Sequence, residues 1–169
     1  YYAERIYNLP LALIGIAIGT VLLPSLSKSL RNNDMNQALA TKQEAFKYTC
    51  LSILPITALL IGLGDEIIPI LFERGEFDKV SSVQTSLALK FFLIGLPALT
   101  FVKIFNAYYY AIETPKIILK VTIITITLNV IMVMALFQSY GYLAVPISLS
   151  IASWVNVFCP LLYLVLLLP

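Results

Sequence analysis

Three long stretches of this chain contain no Asp, Glu, Lys or Arg: Ile6 to Ser27, Tyr48 to Gly64 and Val121 to Pro169. Crossing the hydrocarbon core of a bilayer takes roughly 20 predominantly apolar residues, so these stretches read as membrane-spanning helices. The gaps between them, where most of the 11 Lys/Arg and 9 Asp/Glu crowd, read as connecting loops. With 60% hydrophobic residues and a mean hydropathy of +0.91, too few polar side chains remain to cover a water-soluble core of this size. The chain is therefore expected to be an integral membrane protein. The charges that break the pattern are Glu4, Arg5, Lys90 and Lys103.

Composition excludes several kinds of chemistry. A net charge of +2 with scattered Lys and Arg gives no nucleic-acid footprint. The chain has no His, the commonest metal ligand and acid–base residue, and no HExxH, GxSxG or paired carboxylates within its spans, so neither an intramembrane hydrolase nor a glycosyltransferase is indicated. No metal or cofactor is expected. Cys50 and Cys159 fall in apolar runs and read as small buried thiols, without the spacing of a zinc site or a CxxC pair. The opening Tyr1-Tyr2-Ala3-Glu4-Arg5 resembles neither a signal peptide nor a targeting segment, and the chain reads as a piece of something longer.

Five spans are expected, over about 6–26, 48–63 (extending toward Phe72 after a polar break), 83–111, 117–137 and 142–168. They are too closely spaced to admit a soluble domain, and too long for buried strands or barrel strands of about 10 residues. The fold class is thus all-α, a polytopic transmembrane helix bundle. The first loop carries Lys28, Arg31, Lys42 and Lys47, the second Arg74 and Lys79 among five acids, the third Lys116 and Lys120, and the fourth neither Lys nor Arg. Because cytoplasmic loops are enriched in Lys and Arg, loops one and three are expected inside, residue 1 outside and the C-terminus cytoplasmic. In the first loop, Asn33 or Asp34 is placed to cap a helix running from Met35 into the second span.

Each span carries a polar or small-residue stripe at helical spacing. The first has Arg5, Asn8, Ala12, Gly15 and Gly19, the last two forming a GxxxG that permits close helix approach. The third has Thr100, Lys103, Asn106 and Tyr110; the fourth Thr122, Thr125 and Asn129; the fifth Ser148, Ala152, Asn156, Cys159 and Tyr163. For the Ser, Thr and Gly members the ordinary reading is interhelical hydrogen bonding and packing. A lysine or arginine inside a span calls for a functional reading, although Lys90, two turns from the acidic second loop, reads as snorkelling outward.

The segment Tyr1 to Pro24, YYAERIYNLPLALIGIAIGTVLLP, resembles the eighth span of the MurJ (MviN) lipid II flippase family, whose pattern runs YYADRLYxLPxGLxGIAxGTVLLP. Further blocks follow in order. Leu71 to Phe77 is similar to LFERGxF, Gly95-Leu96-Pro97 with Val102-Lys103 to GLPAxxxVKV, Tyr109-Tyr110-Ala111 and Thr114-Pro115 to FYA…TP, and Ala152 to Asn156 to AAWVN. The resemblance covers essentially the whole chain and implies spans eight to twelve of a fourteen-helix bundle of the MOP exporter superfamily, which includes the MATE transporters. Its even-numbered spans run from outside to inside, in accord with the loop charges. The chain departs in having Glu4 where the family usually has Asp, and only Ile112 and Glu113 where it typically has about five residues. The first seven spans are absent.

What the resemblance implies is outward movement of lipid II, a prenyl-diphosphate-linked peptidoglycan precursor, across the bacterial inner membrane for cell-wall synthesis. The mechanism would be alternating access, with no covalent step. Arg5 matches an arginine counted among the family's substrate-binding cations, and guanidinium suits diphosphate because it binds phosphate oxygens through paired charge-assisted hydrogen bonds. A snorkelling or Glu4-paired arginine is the structural alternative. Glu4, Lys103 and Asn106 complete the candidate substrate-binding set, with Glu4 tuning or pairing with Arg5; Asn129 and Asn156 are candidates for a coupling ion or for a polar cavity. The expected partners are lipid II, membrane lipid and the missing N-terminal half of the same transporter. A polysaccharide or MATE-like exporter and a non-transporting truncated remnant remain as alternatives.

Overall fold

The computed structural model describes residues 1–32, 34–74 and 77–167, the last five by their backbone alone. Asn33, Gly75, Glu76, Leu168 and the side chain of Tyr163, which the sequence reading used, lie outside what is described. The chain is all-helical: α1 (Tyr2–Ala17), a π-turn (Ile18–Leu22), α2 (Leu23–Arg31), α3 (Met35–Phe72), α4 (Lys79–Ala111), α5 (Pro115–Tyr140), a 3₁₀ turn (Gly141–Leu143) and α6 (Ala144–Leu167). Among the described residues, four helical stretches are long and apolar enough to cross a membrane: Tyr2–Arg31, Met35–Phe72, Lys79–Ala111 and Pro115–Leu162. The last, 48 residues, would measure about 72 Å as one rod, more than twice the hydrocarbon thickness. Gly141, at φ 53°, ends α5 and turns the chain so that α6 packs back along it, and this one stretch therefore holds both the fourth and the fifth expected spans.

Helix α4 is the centre of the bundle. It packs against α1, α3 and α6, and α5 is held mainly by α6. Leu89, Leu93 and Leu96 on α4 close one core with Ile6, Tyr7, Ile53 and Ile68, where Tyr7 stacks on Phe92 at 4.9 Å. Phe101, Ile104, Phe105 and Tyr108 close a second with Leu22 and Leu26, where Phe46 stacks on Phe101 at 4.5 Å. These aromatic pairs face each other across α1–α4 and α3–α4 and fix the rotation of α4 about its axis. Cys50 and Cys159 are half-buried free thiols rather than fully buried ones.

Helix ends follow the local sequence. Asp34 accepts from the Gln37 amide at 2.9 Å and starts α3 ahead of its apolar run. Asp78 accepts from the Ser81 amide at 2.8 Å to start α4, and these hydrogen bonds to its anionic form lower its pKa. At the other end of α4, the Thr114 amide donates to the Tyr109 carbonyl and the Glu113 amide to that of Tyr110, a Schellman closure. It places Glu113 at φ 56°, a conformation most often filled by glycine, and makes the shortening of this turn to two residues compatible with Pro115 opening α5.

Polar contacts between helices differ from those the stripes suggest. The Thr100 and Thr125 hydroxyls bond carbonyls of their own helices. Hydroxyl and indole bonds to carbonyls of another helix come from elsewhere: Ser86 to the Gly64 carbonyl, Ser150 to that of Phe91, the Trp154 indole to that of Ile94 and the Tyr109 hydroxyl to that of Pro160. Of the GxxxG pair, only Gly15 meets a neighbour, and that neighbour is a side chain; Gly19 lies in the π-turn, whose extra residue changes the facing of the helix, and has nothing within 4 Å.

Lys90 is not a simple snorkelling residue. Its ammonium lies 2.6 Å from the Asp65 carboxylate, across the α3–α4 groove. The two side chains are 36% and 60% exposed, so water screens the pair, and about 0–1 kcal/mol is expected from it. Lys90→Met, Asp65→Asn and the double variant should therefore unfold in detergent within about 1 kcal/mol of the parent chain, with a coupling below that in a double-mutant cycle.

Candidate functional site

Arg5 stands in the first turns of α1. Its Nη2 donates to the Tyr1 hydroxyl at 2.8 Å, and its Cζ lies 4.9 Å from the centre of the Tyr1 ring. Tyr1 and Arg5 are four apart, hence neighbours on one helix face, whereas Glu4 and Arg5 are about 100° apart. Glu4 accordingly does not pair with Arg5: among the described residues the one ion pair is Lys90–Asp65. Both Glu4 and Arg5 are exposed. The first turn is held by aromatic contacts, since Tyr2 packs on Phe72 at 4.8 Å and on Phe77 at 5.0 Å. Phe72 and Phe77, the two aromatic residues of the Leu71–Phe77 block, thus grip the helix start that presents Arg5.

Lys103 reaches the same helix from α4. A Cβ placed on Gly15 would lie 3.0 Å from its Cδ, 3.1 Å from its Cε and 3.3 Å from its Nζ. Its stem is laid across α1 at the one stretch of backbone without a side chain. Arg5 and Gly15 are ten residues apart, about 15 Å along the helix, so the two cations share a helix face without touching the same point. Between them that face carries Asn8 and Ala12, the latter exposed. Asn106, one turn beyond Lys103, is partly exposed; Thr100 turns inward and Tyr110 outward, so the expected four-residue stripe on α4 contributes Lys103 and Asn106 only.

The stripes on the last two spans converge. Thr122, Thr125 and Asn129 of α5 face Ala152 and Asn156 of α6 across a cavity of about 340 Å³, with Leu99 of α4 in its wall. Ser153, which is not one of the stripe residues of the fifth span, also lines it. At about 30 Å³ per molecule the space takes several waters but not a disaccharide-peptide headgroup. Its lining has amide and hydroxyl oxygens and no carboxylate, and among the described residues no group of three or more His, Cys, Asp or Glu is placed to hold a metal ion. Neither Arg5 nor Lys103 lines this cavity.

A further cavity of about 470 Å³ lies between the π-turn region and α3, walled by Ile14, Ile18 and Leu22 and edged by Glu44 and Tyr48. The helix on this side is interrupted by the π-turn, where the Thr20 hydroxyl bonds the carbonyls of Ile16 and Ala17, and it continues through Pro24, which has no N–H to donate.

Comparison with known proteins places these features. The sequence model of the family described as "Lipid II flippase MurJ" matches residues 1–167. The chain is 35% identical to the "Probable lipid II flippase MurJ" of Rhizobium meliloti (strain 1021) over 92% of its own length and 29% of the relative's. With that of Rickettsia prowazekii (strain Madrid E) it shares 36% identity over 92% and 31%. A solved structure titled "Lipid II flippase MurJ, inward closed conformation" superposes with a TM-score of 0.87 at 28% identity, over 96% of this chain and 34% of that one. The chain thus spans about a third of the length of these relatives, and the match runs through every helix described above. It belongs to the MurJ lipid II flippase family.

Proposed function

We propose that this chain is the part of a lipid II flippase that presents a cationic face to the diphosphate headgroup, in a transporter whose remaining spans complete the cavity. The observation that carries the reading is the pair of cations along the face of α1: Arg5 of α1 exposed near one end, and the ammonium of Lys103 from α4 delivered over Gly15 about 15 Å further along. Neither has an anionic partner among the described residues, and membrane-embedded charges without partners are costly unless a ligand or water meets them. Asn8 and Asn106 supply neutral hydrogen-bonding groups beside them, and Glu4 borders the face. Movement by alternating access needs no acid–base group, and the role is that of a transporter rather than an enzyme. Asn129 and Asn156 keep the α5–α6 gap hydrated so that the two helices can shift. With residue 1 outside, a potential negative inside favours outward transfer of an anionic headgroup by about 2.3 kcal/mol per charge per 100 mV.

The full-length protein carrying this chain should restore growth to cells depleted of their own flippase and raise the lipid II exposed on the outer leaflet, read by protease or probe access to the headgroup. Insertion at normal level without outer-leaflet lipid II would reject the reading. An anionic substrate favours this reading over a cation exporter on the same fold.

A further inference from the structure

We infer that Gly15 is a positioning residue: the absent side chain is the trough through which Lys103, rooted on the buried helix α4, presents its ammonium on the Arg5 face of α1. The inference rests on the flippase reading for its function, though not for its geometry. Lys103 lies between the fully buried Thr100 and Ile104, so without a passage its charge would be confined to a helix seam. Gly15 sits at the border between the packed side of α1, marked by Tyr7, Ile18 and Leu22, and its open side, marked by Leu9, Leu13 and Ile16. All three distal atoms of the lysine, Cδ, Cε and Nζ, lie within 3.0–3.3 Å of where a Gly15 Cβ would stand. The contact is with the flexible end of a side chain and not with backbone. A side chain at position 15 would therefore deflect the lysine before it separated the helices, and Ala is in addition the better helix former.

The position is read in the full-length protein by reaction of the Lys103 amine itself with a membrane-impermeant amine-specific acylating reagent, quantified by mass spectrometry of the peptide that carries Lys103. Gly15→Val is expected to slow modification about tenfold and Gly15→Ala less; equal rates in all three would overturn the inference, whether or not lipid II moves. The functional consequence is read as a cycle of lipid II translocation. With Lys103 present, Gly15→Val should reduce the rate about tenfold; with Lys103→Ala, the same substitution should change it less than twofold. An equal loss in both backgrounds would show that Gly15 serves helix packing and would overturn the positioning role. Failure of the parent protein to translocate would instead remove the flippase reading and leave the labelling result to decide the geometry.

Discussion

Arg5→Ala in the full-length transporter is expected to abolish rescue of flippase-depleted cells, with lipid II translocation falling more than a hundredfold, while the protein still inserts and accumulates. The size follows from what the guanidinium does. Hydrogen bonds to a charged group are worth about 1.5–3 kcal/mol each, and a bidentate diphosphate contact makes two, so at least about 3 kcal/mol is at stake. The fold should not notice. Arg5 is exposed, and its one described side-chain hydrogen bond is to the Tyr1 hydroxyl one turn back, a contact of little net stability. Arg5→Lys separates geometry from charge: it keeps the cation and loses the fork, so an intermediate rate is expected. Tyr1→Phe removes the hydroxyl but keeps the ring 4.9 Å from the guanidinium, and should cost severalfold at most. Growth equal to the parent protein with Arg5→Ala would remove Arg5 from the headgroup site.

The charge-free stretches disclose helices because hydrocarbon excludes charge regardless of tertiary context, and the stripes on α5 and α6 disclose a shared cavity because polar groups in apolar helices turn toward one another. Joints are less legible. Helix α3 runs through Asp65 and Glu66, where the sequence shows a polar break, since a helix emerging from the membrane can carry exposed acids without ending. Lys90 finds Asp65, 25 residues away, and such a pairing depends on how α3 and α4 are rotated, which a single helix pattern does not contain. The Tyr1–Arg5 contact was within reach, because the four-residue spacing alone places those side chains together. So was the seam between α4 and α6: Ser150 and Trp154 share that same spacing, and both donate to α4 carbonyls. The threonine stripes mislead for a physical reason. In a helix a threonine hydroxyl can always satisfy itself on the carbonyl one turn back, so its presence does not demand a neighbour. Lys103 was visible as an anomaly in its span, but its route to α1 depends on Gly15 lying opposite it, which only the packed structure supplies.

Gly95→Ala should be the most disruptive small change in the bundle core. In an ordinary helix interior, glycine to alanine stabilises by about 1 kcal/mol. At Gly95 the sign is expected to reverse, because the new Cβ would lie 2.8 Å from both the Cα and the Oγ of Ser150, and a backbone atom cannot step aside as a lysine tip can. Helices α4 and α6 must separate, and forced overpacking of this kind costs about 1–3 kcal/mol. The Ser150–Phe91 and Trp154–Ile94 hydrogen bonds that cross the same seam are then stretched together. Gly64→Ala is the matched comparison: its Cβ would meet only the Leu89 Cδ2, at an ordinary 3.5 Å, so it should be neutral or stabilising. The chain's single tryptophan reports on the seam directly, since Trp154 is the residue bonded across it. In detergent or nanodiscs, Gly95→Ala should lower the unfolding midpoint and shift Trp154 emission, whereas Gly64→Ala should leave both close to the parent chain. Parallel behaviour of the two variants would show that α4 and α6 are not in close backbone contact at Gly95, and would displace this seam from the centre of the fold.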